Sequence, residues 1–177
     1  VYWQPVGEPA ELTGAWQVRF IAGGPALPPP FETTNLASWT VLGGEEAQRF
    51  AGTARYSLKF DAPAASAEDS WLDLGRICQS ARVRLNGRDL GTTFVPPFRL
   101  PVHGLKPTGN ELEIEVTNVS ANRIRDLDRR GVKWKYFYDI NFANIGYKPF
   151  DASNWPLTES GLLGPVQLQP VGKIRAE

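Results

Sequence analysis

Apolar and polar residues alternate along most of residues 71–118, and this is the clearest pattern in the chain. Near the end of the segment, for example, Leu112 and Ile114 alternate with glutamates. The dipeptide Asn86-Gly87 lies between two alternating runs. Such a pair is a strong hairpin signal, because a type I′ turn needs positive φ at both central positions. Since each half-apolar strand has to lay one face on a core, the segment predicts some five antiparallel strands.

Alternation also predicts strands elsewhere in the chain. Every second residue is apolar in most of residues 14–20 and 53–60, and residues 162–168 return to strand character. Several half-buried strands need a second layer against which to pack. We therefore expect an all-β fold, an antiparallel β-sandwich.

Residues 119–160 keep no period of two, so the pattern predicts one long irregular loop before the last strand. Loops of this length inside compact domains usually have a function or are disordered. We expect a single domain over residues 1–177, with its core in about 14–170.

The charge balance limits the partners of the chain. Lys plus Arg and Asp plus Glu both number 19, so the formal net charge is zero. A nucleic-acid or membrane-surface role would show a basic excess, and no apolar run approaches the ~20 residues that a membrane helix needs. We therefore expect neither partner. Because the chain begins at Val1 and not at Met, we expect it to be processed or cut from a longer protein.

The cysteine and histidine content gives no indication of a disulfide framework, a metal site or a catalytic base. Cys78 is the only cysteine, which excludes an internal disulfide and a cysteine metal cage. His103 is the only histidine, and its turn, flanked by Pro and Gly, favours a structural role over that of a catalytic base. No EF-hand spacing or histidine cluster occurs, so we expect no cofactor. Loop carbonyls and carboxylates could hold a structural Ca²⁺, but no spacing indicates one.

The irregular segment and its border hold the densest mixture of aromatic and planar polar side chains. Sugars are bound by aromatic faces that cover the apolar side of the ring and by polar groups that reach the hydroxyls. The candidate carbohydrate-binding residues are Asn118, Asn122, Arg123, Asp126, Trp134, Tyr136, Tyr138 and Trp155. The alternative is that the aromatic residues pack the loop onto the sandwich and that Asn118 caps a turn.

A pair of carboxylates is needed for glycoside hydrolysis, and Asp126 and Asp128 lie two residues apart. Four arginines surround them in the sequence. Nearby cations lower the pKa of a carboxyl, which is opposite to what a general acid needs. The sequence therefore predicts an ion-paired segment and no catalytic pair.

Three stretches together resemble a known family. They are residues 38–60, which include SWT and FAGTARYSLKF, residues 71–118, which include WLDLGRICQSARVRLNGRDLG, PPFRL and GNELEIEVTN, and residues 154–168, NWPLTESGLLGPVQL. Together they are similar to the galactose-binding-like jelly-roll domain of family 2 glycoside hydrolases and of family 106 α-L-rhamnosidases. The resemblance implies a jelly-roll sandwich. It also implies that a polar residue near Asn118 can reach toward the sugar site of a neighbouring catalytic barrel.

In those enzymes the catalytic carboxylates lie on a barrel domain, and this chain has no barrel sequence. The resemblance therefore implies a non-catalytic carbohydrate-binding module that targets an attached glycoside hydrolase to a polysaccharide or oligosaccharide. The alternative is a structural accessory domain that packs against the catalytic barrel of a rhamnosidase-like enzyme. A self-sufficient enzyme is the third hypothesis, and the arginine-rich surroundings of the carboxylates argue against it. We expect a secreted or periplasmic protein.

Overall fold

The computed structural model describes residues 2–64, 68–135 and 149–174. In these ranges the strands are β1 (Tyr2–Pro5), β2 (Ala10–Glu11), β3 (Trp16–Gly24), β4 (Phe31–Thr33), β5 (Ala51–Phe60), β6 (Asp69–Asp73), β7 (Arg76–Cys78), β8 (Ser80–Leu85), β9 (Arg88–Thr93), β10 (Arg99–His103), β11 (Asn110–Thr117), β12 (Gly161–Gly164) and β13 (Gln167–Ile174). The helices are α1 (Trp39–Leu42), α2 (Gly44–Gln48) and α3 (Ala121–Arg129). None of these helices is long and apolar enough to cross a membrane.

Two sheets form the body of the fold. One has the strand order β4-β3-β5-β11-β8-β9, and the other has the order β1-β13-β6-β10 with β2 beside β13. The short strands β7 and β12 form a small third sheet. The strand pairs run antiparallel, as in the long pairing of β11 with β5 and β8. The predicted all-β sandwich is confirmed.

The core follows directly from the alternation in the sequence, because successive side chains of a strand point to opposite faces. In β11, Leu112 and Ile114 are 1% and 0% exposed. The ring of Phe20 packs edge-on against Trp39 and Phe50, with centroids 5.5 and 4.9 Å away. Such aromatic contacts stabilise a core beyond the area that they bury.

The predicted hairpin turn is also confirmed. Asn86 and Gly87 connect β8 to β9 with φ of 52° and 79°, the left-handed values that a type I′ turn requires. The turn lets β9 fold back on β8, where it becomes the edge of the larger sheet.

Paired charges cover the outer face of the larger sheet, and we call this array the charge ladder. The Oε1 atom of Glu115 accepts hydrogen bonds from Arg55 Nη2 at 2.7 Å and from Arg84 Nη1 at 3.1 Å. Burial alone would raise the pKa of the Glu115 carboxyl, but the two guanidinium groups outweigh it and lower the pKa. Lys59 and Glu111 form a further pair at 3.2 Å. Opposite charges on neighbouring strands stabilise a solvated sheet face.

Two segments differ from the sequence-based expectation. The start of the chain, where no alternation predicts a strand, contributes β1 and β2, because both find hydrogen-bonding partners along β13. The segment 119–160, expected to be one irregular loop, contains helix α3. Ile124 and Leu127 lie three residues apart on one side of this helix. Because most residues around them are charged, these two apolar positions are too few to form a recognisable helical period in the sequence.

Gly161, the first residue of β12, lies where two large core side chains meet. A Cβ atom at this position would lie 2.3 Å from Tyr56 Oη and 2.8 Å from Trp39 Cε3, and its φ is +102°. Gly109 has a φ of +68° but no atom within 4 Å of the same virtual Cβ. An alanine at Gly109 therefore strains only the backbone, whereas an alanine at Gly161 also overpacks the core.

We expect Gly161→Ala to lower the free energy of unfolding by about 3 kcal/mol, because backbone strain and overpacking add. The matched variant Gly109→Ala is expected to lose only about 1 kcal/mol, which is the backbone cost alone. Urea denaturation at neutral pH measures both. Equal losses in the two variants would contradict the packing argument.

Candidate functional site

Asn118 follows β11 and joins three parts of one end of the sandwich. Its Oδ1 atom accepts a hydrogen bond from the Gly52 N–H at 2.9 Å. Its Nδ2 atom donates to the Phe50 carbonyl at 3.1 Å and to Ser160 Oγ at 3.0 Å. A side-chain amide has one carbonyl oxygen and two N–H donors. Every polar atom of this side chain is therefore engaged within the fold.

Asn122, in the first turn of α3, is 1% exposed. Its side chain pairs with the backbone of Thr158, because Oδ1 accepts from the N–H at 2.8 Å and Nδ2 donates to the carbonyl at 2.7 Å. Ser160, also fully buried, donates its backbone N–H to Ser38 Oγ at 2.9 Å. We call Ser38, Asn118, Asn122 and Ser160 the buried polar network. It ties α1, β11 and α3 to the segment before β12.

Asp126 lies between two arginines on the surface of α3. Arg123 Nη1 is 3.0 Å from its Oδ2 atom, and Arg130 Nε is 2.8 Å from its Oδ1 atom. The spacings of three and four residues place these side chains on one helix face. This is the ion-paired arrangement that the arginine-rich sequence predicts.

Asp128, near the end of α3, connects the segment that follows the helix to the segment around Ala152. It is not among the carbohydrate-binding candidates. Its Oδ1 atom accepts hydrogen bonds from Trp134 Nε1 at 2.7 Å and Lys135 Nζ at 3.0 Å, and its Oδ2 atom accepts from the Ala152 N–H at 2.8 Å. Its side chain is only 7% exposed. Burial alone would raise the pKa of the carboxyl, but these donors outweigh burial and lower it.

Three aromatic side chains from the segments that follow α3 lie next to one another. Trp134 and Phe150 meet edge to face with centroids 6.2 Å apart, and Phe150 and Trp155 meet in the same way at 5.5 Å. We call these three the aromatic row. Trp155 is the most accessible large apolar side chain of the row, at 39% exposure.

An open cleft of about 310 Å³ adjoins the aromatic row, with walls that include Trp134, Phe150 and Asp151. Lys135 closes one side, because its Nζ atom donates to the Phe150 carbonyl at 2.7 Å and lies 5.2 Å from the centre of the Phe150 ring. Lys133 is exposed at the rim. Aromatic walls with a few polar groups are typical of small-molecule sites.

The structure divides the predicted site residues into separate groups. Asn118 and Asn122 belong to the buried polar network, Arg123 and Asp126 form ion pairs on α3, and Trp134 and Trp155 belong to the aromatic row. Tyr136 and Tyr138 lie outside the described residues. Phe150, which joins the two tryptophans, was not a candidate, since a single phenylalanine in a Pro-containing stretch gives no signal of its own.

Metal binding has no support from the part of the chain that the structure describes. There, no group of three or more His, Cys, Asp or Glu side chains is placed to hold an ion. Asp126 and Asp128 bind different partners and do not face each other across the cleft.

Comparison with known proteins finds that the chain is similar to parts of glycoside hydrolases, although no model of a protein family matches it. A Formosa agariphila protein with a provisional β-glucuronidase name is 33% identical over 190 residues, which span 92% of this chain. The rhamnosidase from Novosphingobium sp. PP1Y is 34% identical over 95% of this chain, with a TM-score of 0.70. A GH2 β-galacturonidase from Eisenbergiella tayi, 16% identical, shares the fold over 93% of this chain and 24% of its own, with a TM-score of 0.58.

The resemblance inferred from the sequence is thereby confirmed. The relatives are glycoside hydrolases, and the chain spans only 16% of the Formosa protein and 15% of the rhamnosidase. This β-sandwich is therefore similar to one small part of much larger enzymes.

We expect Asp128→Asn to lower the free energy of unfolding by about 2 kcal/mol at pH 7, because charge-assisted hydrogen bonds to buried donors are weakened. The pKa of Asp128 is depressed in the folded state. Its stabilisation is therefore fully present above the unfolded pKa of about 3.9 and is lost as the pH falls through the lower folded value.

The difference between wild type and Asp128→Asn should accordingly shrink when urea denaturation is repeated from pH 7 down to about pH 3. Glu8→Gln, at an exposed carboxylate in the connection between β1 and β2, is the matched control and is expected to change stability little at any pH. A constant difference across this pH range would contradict the role of the ionised carboxylate.

Proposed function

We propose that the chain is a non-catalytic carbohydrate-binding module that targets an attached glycoside hydrolase to a polysaccharide. The observation that carries the proposal is the aromatic row beside an open cleft, on a domain whose relatives are glycoside hydrolases. Polysaccharides are met outside the cytoplasm, so the proposal includes a secreted or periplasmic location.

Trp155 is the first candidate for direct sugar contact. It is exposed, its ring is held edge-on by Phe150, and its carbonyl accepts a hydrogen bond from Arg125 Nε at 2.6 Å. A ring that is already fixed loses little conformational entropy when a sugar stacks on it. Asp151 and Lys133 at the cleft supply an acceptor and a donor for hydroxyl groups.

The polar candidates take a different part in this proposal. Asn118, Asn122, Arg123 and Asp126 already form hydrogen bonds or ion pairs within the chain. A sugar hydroxyl would have to replace one of these contacts, and leaving a buried partner unsatisfied costs about 1–3 kcal/mol. We therefore propose that these residues hold α3 and the cleft in place, and that the aromatic residues contact the sugar.

A second candidate function is that of a structural domain packed against a catalytic barrel, and a group of exposed apolar residues favours it. Phe94 and Val95 are 71% and 59% exposed, and Val119 and Leu157 are 42% and 37% exposed. We call these four residues the apolar end surface. The register of β8 with β9 and β11 brings Phe94 and Val95 out of the sheet at the same end as Val119.

Exposed apolar groups at one place on a surface mark interaction sites. On this second proposal the partner is the neighbouring domain of a longer glycoside hydrolase, because the chain spans such a small share of its relatives. The two functions are compatible, since Phe94 and Val95 of the apolar end surface follow β9, whereas Trp134 and the cleft beside it follow the C-terminal end of α3.

We expect Trp155→Ala to weaken binding to a recognised polysaccharide about tenfold, which corresponds to about 1.4 kcal/mol. Affinity electrophoresis against neutral and uronic-acid polysaccharides, followed by calorimetry, measures the effect. Tyr2→Ala removes another exposed aromatic ring, on β1, and is expected to leave affinity unchanged. A folded wild-type chain that no glycan retards would overturn the proposal.

We expect the double variant Phe94→Ser/Val95→Ser to reduce binding of a hydrophobic fluorescent dye without lowering the thermal midpoint, since both side chains are exposed. In an enzyme that joins this chain to a catalytic domain, the same change is expected to increase proteolysis between the two domains. Val41→Ser, at a valine that is 77% exposed on α1, is the control for either measurement. Unchanged proteolysis in the joined enzyme argues against docking through this surface.

A further inference from the structure

The two sheets leave an opening where their edge strands β9 and β10 approach each other, and we call it the sheet-edge cleft. Its volume is about 380 Å³, within the usual range of small-molecule sites. Leu85, Leu90 and Pro101 form an apolar wall. The cleft lies at the turn between β8 and β9, at the end of the sandwich opposite α3.

Three basic side chains line the same cleft: Arg88, His103 and Lys106. His103 is hydrogen-bonded to Asp69. Arg88 and Lys106 are exposed, and neither forms an ion pair with another residue that the structure describes. Their charges are therefore available to a bound anion.

Among the described residues, Asp89 is the one acidic side chain that lines the cleft, and its neighbours neutralise its charge. Asp89 Oδ2 accepts a hydrogen bond from Arg82 Nε at 3.0 Å, and Asp89 Oδ1 accepts from the Gly91 N–H at 2.9 Å. Arg82 lies on the neighbouring strand β8 and belongs to the outer face of the sheet. The local balance at the cleft is therefore positive.

A buried asparagine fixes the two turns that carry the cations. Asn110 is 0% exposed, and its Oδ1 atom accepts hydrogen bonds from Asn86 Nδ2 and from the Lys106 N–H, both at 3.0 Å. Its Nδ2 atom donates to the Lys106 carbonyl at 2.8 Å. The turn before Arg88 and the backbone of Lys106 are thus held by the same buried side chain. A binding group on such a fixed frame is preorganised for its ligand.

We propose that the sheet-edge cleft binds a saccharide that carries an anionic group, either a carboxylate or a sulfate ester. The planar guanidinium of Arg88 matches the geometry of both anions, and Lys106 adds a point charge. Leu90 and Pro101 cover the C–H face of the sugar ring. The inference that the anion is part of a saccharide rests on the proposed carbohydrate-binding function, and it adds a contact point far from the aromatic row.

Backbone-amide NMR titrations of the whole chain test the proposal with four probes. They are a disaccharide ending in glucuronate, its neutral glucose counterpart, a sulfated glucose disaccharide and sodium sulfate. We expect the two acidic saccharides to shift amides in residues 85–90 and 101–106, and the neutral saccharide to leave them unchanged. Raising the salt concentration is expected to weaken this binding, because the charges are exposed.

The double variant Arg88→Gln/Lys106→Gln is expected to weaken binding of the acidic saccharides at least tenfold. Both side chains are exposed, so an unchanged thermal midpoint will show that folding is intact. Arg19→Gln removes an equal exposed charge from β3, four strands away in the same sheet, and is expected to leave the affinity unchanged.

The outcomes separate this inference from the proposed function. Shifts around Trp134 and Trp155 without any at the sheet-edge cleft overturn the inference and leave the proposed function standing. Shifts at the sheet-edge cleft alone support the inference and overturn the assignment of sugar contact to the aromatic row. Sodium sulfate that binds as tightly as the acidic saccharides overturns the saccharide assignment. No shift with any probe overturns the inference, whereas the proposed function is overturned only if no polysaccharide retards the folded chain.

Discussion

The end of the molecule that carries the aromatic row depends on the buried polar network around Ser160. Apolar alternation packs two sheets together, but it does not determine where the chain goes after a strand ends. Here Asn118 and Asn122 both reach Ser160, which in turn meets Ser38. Buried polar groups of this kind are costly unless all of them are paired, so the network favours a single arrangement of the elements that it connects.

Asp128 extends that arrangement outward from the core. The buried network sets the start of α3, and the carboxylate of Asp128 then holds Trp134 and the backbone of Ala152 near its end. The positions of the rings in the aromatic row therefore depend on two sets of polar contacts. Hydrophobic packing alone would leave these rings with several similar positions, because their edges meet but are not enclosed.

The sequence predicts the sheets well but does not reveal the contacts within the candidate site, for physical reasons. The alternation of residues such as Leu112 and Ile114, together with the Asn86-Gly87 turn, is a local property that the strands keep. Helix α3 has few apolar residues, and the pairing of Asn122 with Thr158 that supports it joins positions far apart in the sequence. The same is true of the aromatic row, because Phe150 connects Trp134 to Trp155 only in the folded chain. A contact between distant residues leaves no periodic trace in the sequence.

The charge ladder restricts which surface of this domain can pack against another protein. Laying the outer sheet face flat against another protein would remove Arg55, Arg84 and Glu115 from water, and dehydrating such ions costs several kcal/mol each. On the second proposed function, a neighbouring domain avoids that cost by packing on the apolar end surface, at one end of the sandwich. The broad face then works as a spacer, and the long axis of the strands points away from the neighbouring domain. Ligands carried at the far end would consequently be presented at a distance of about one sandwich length from it.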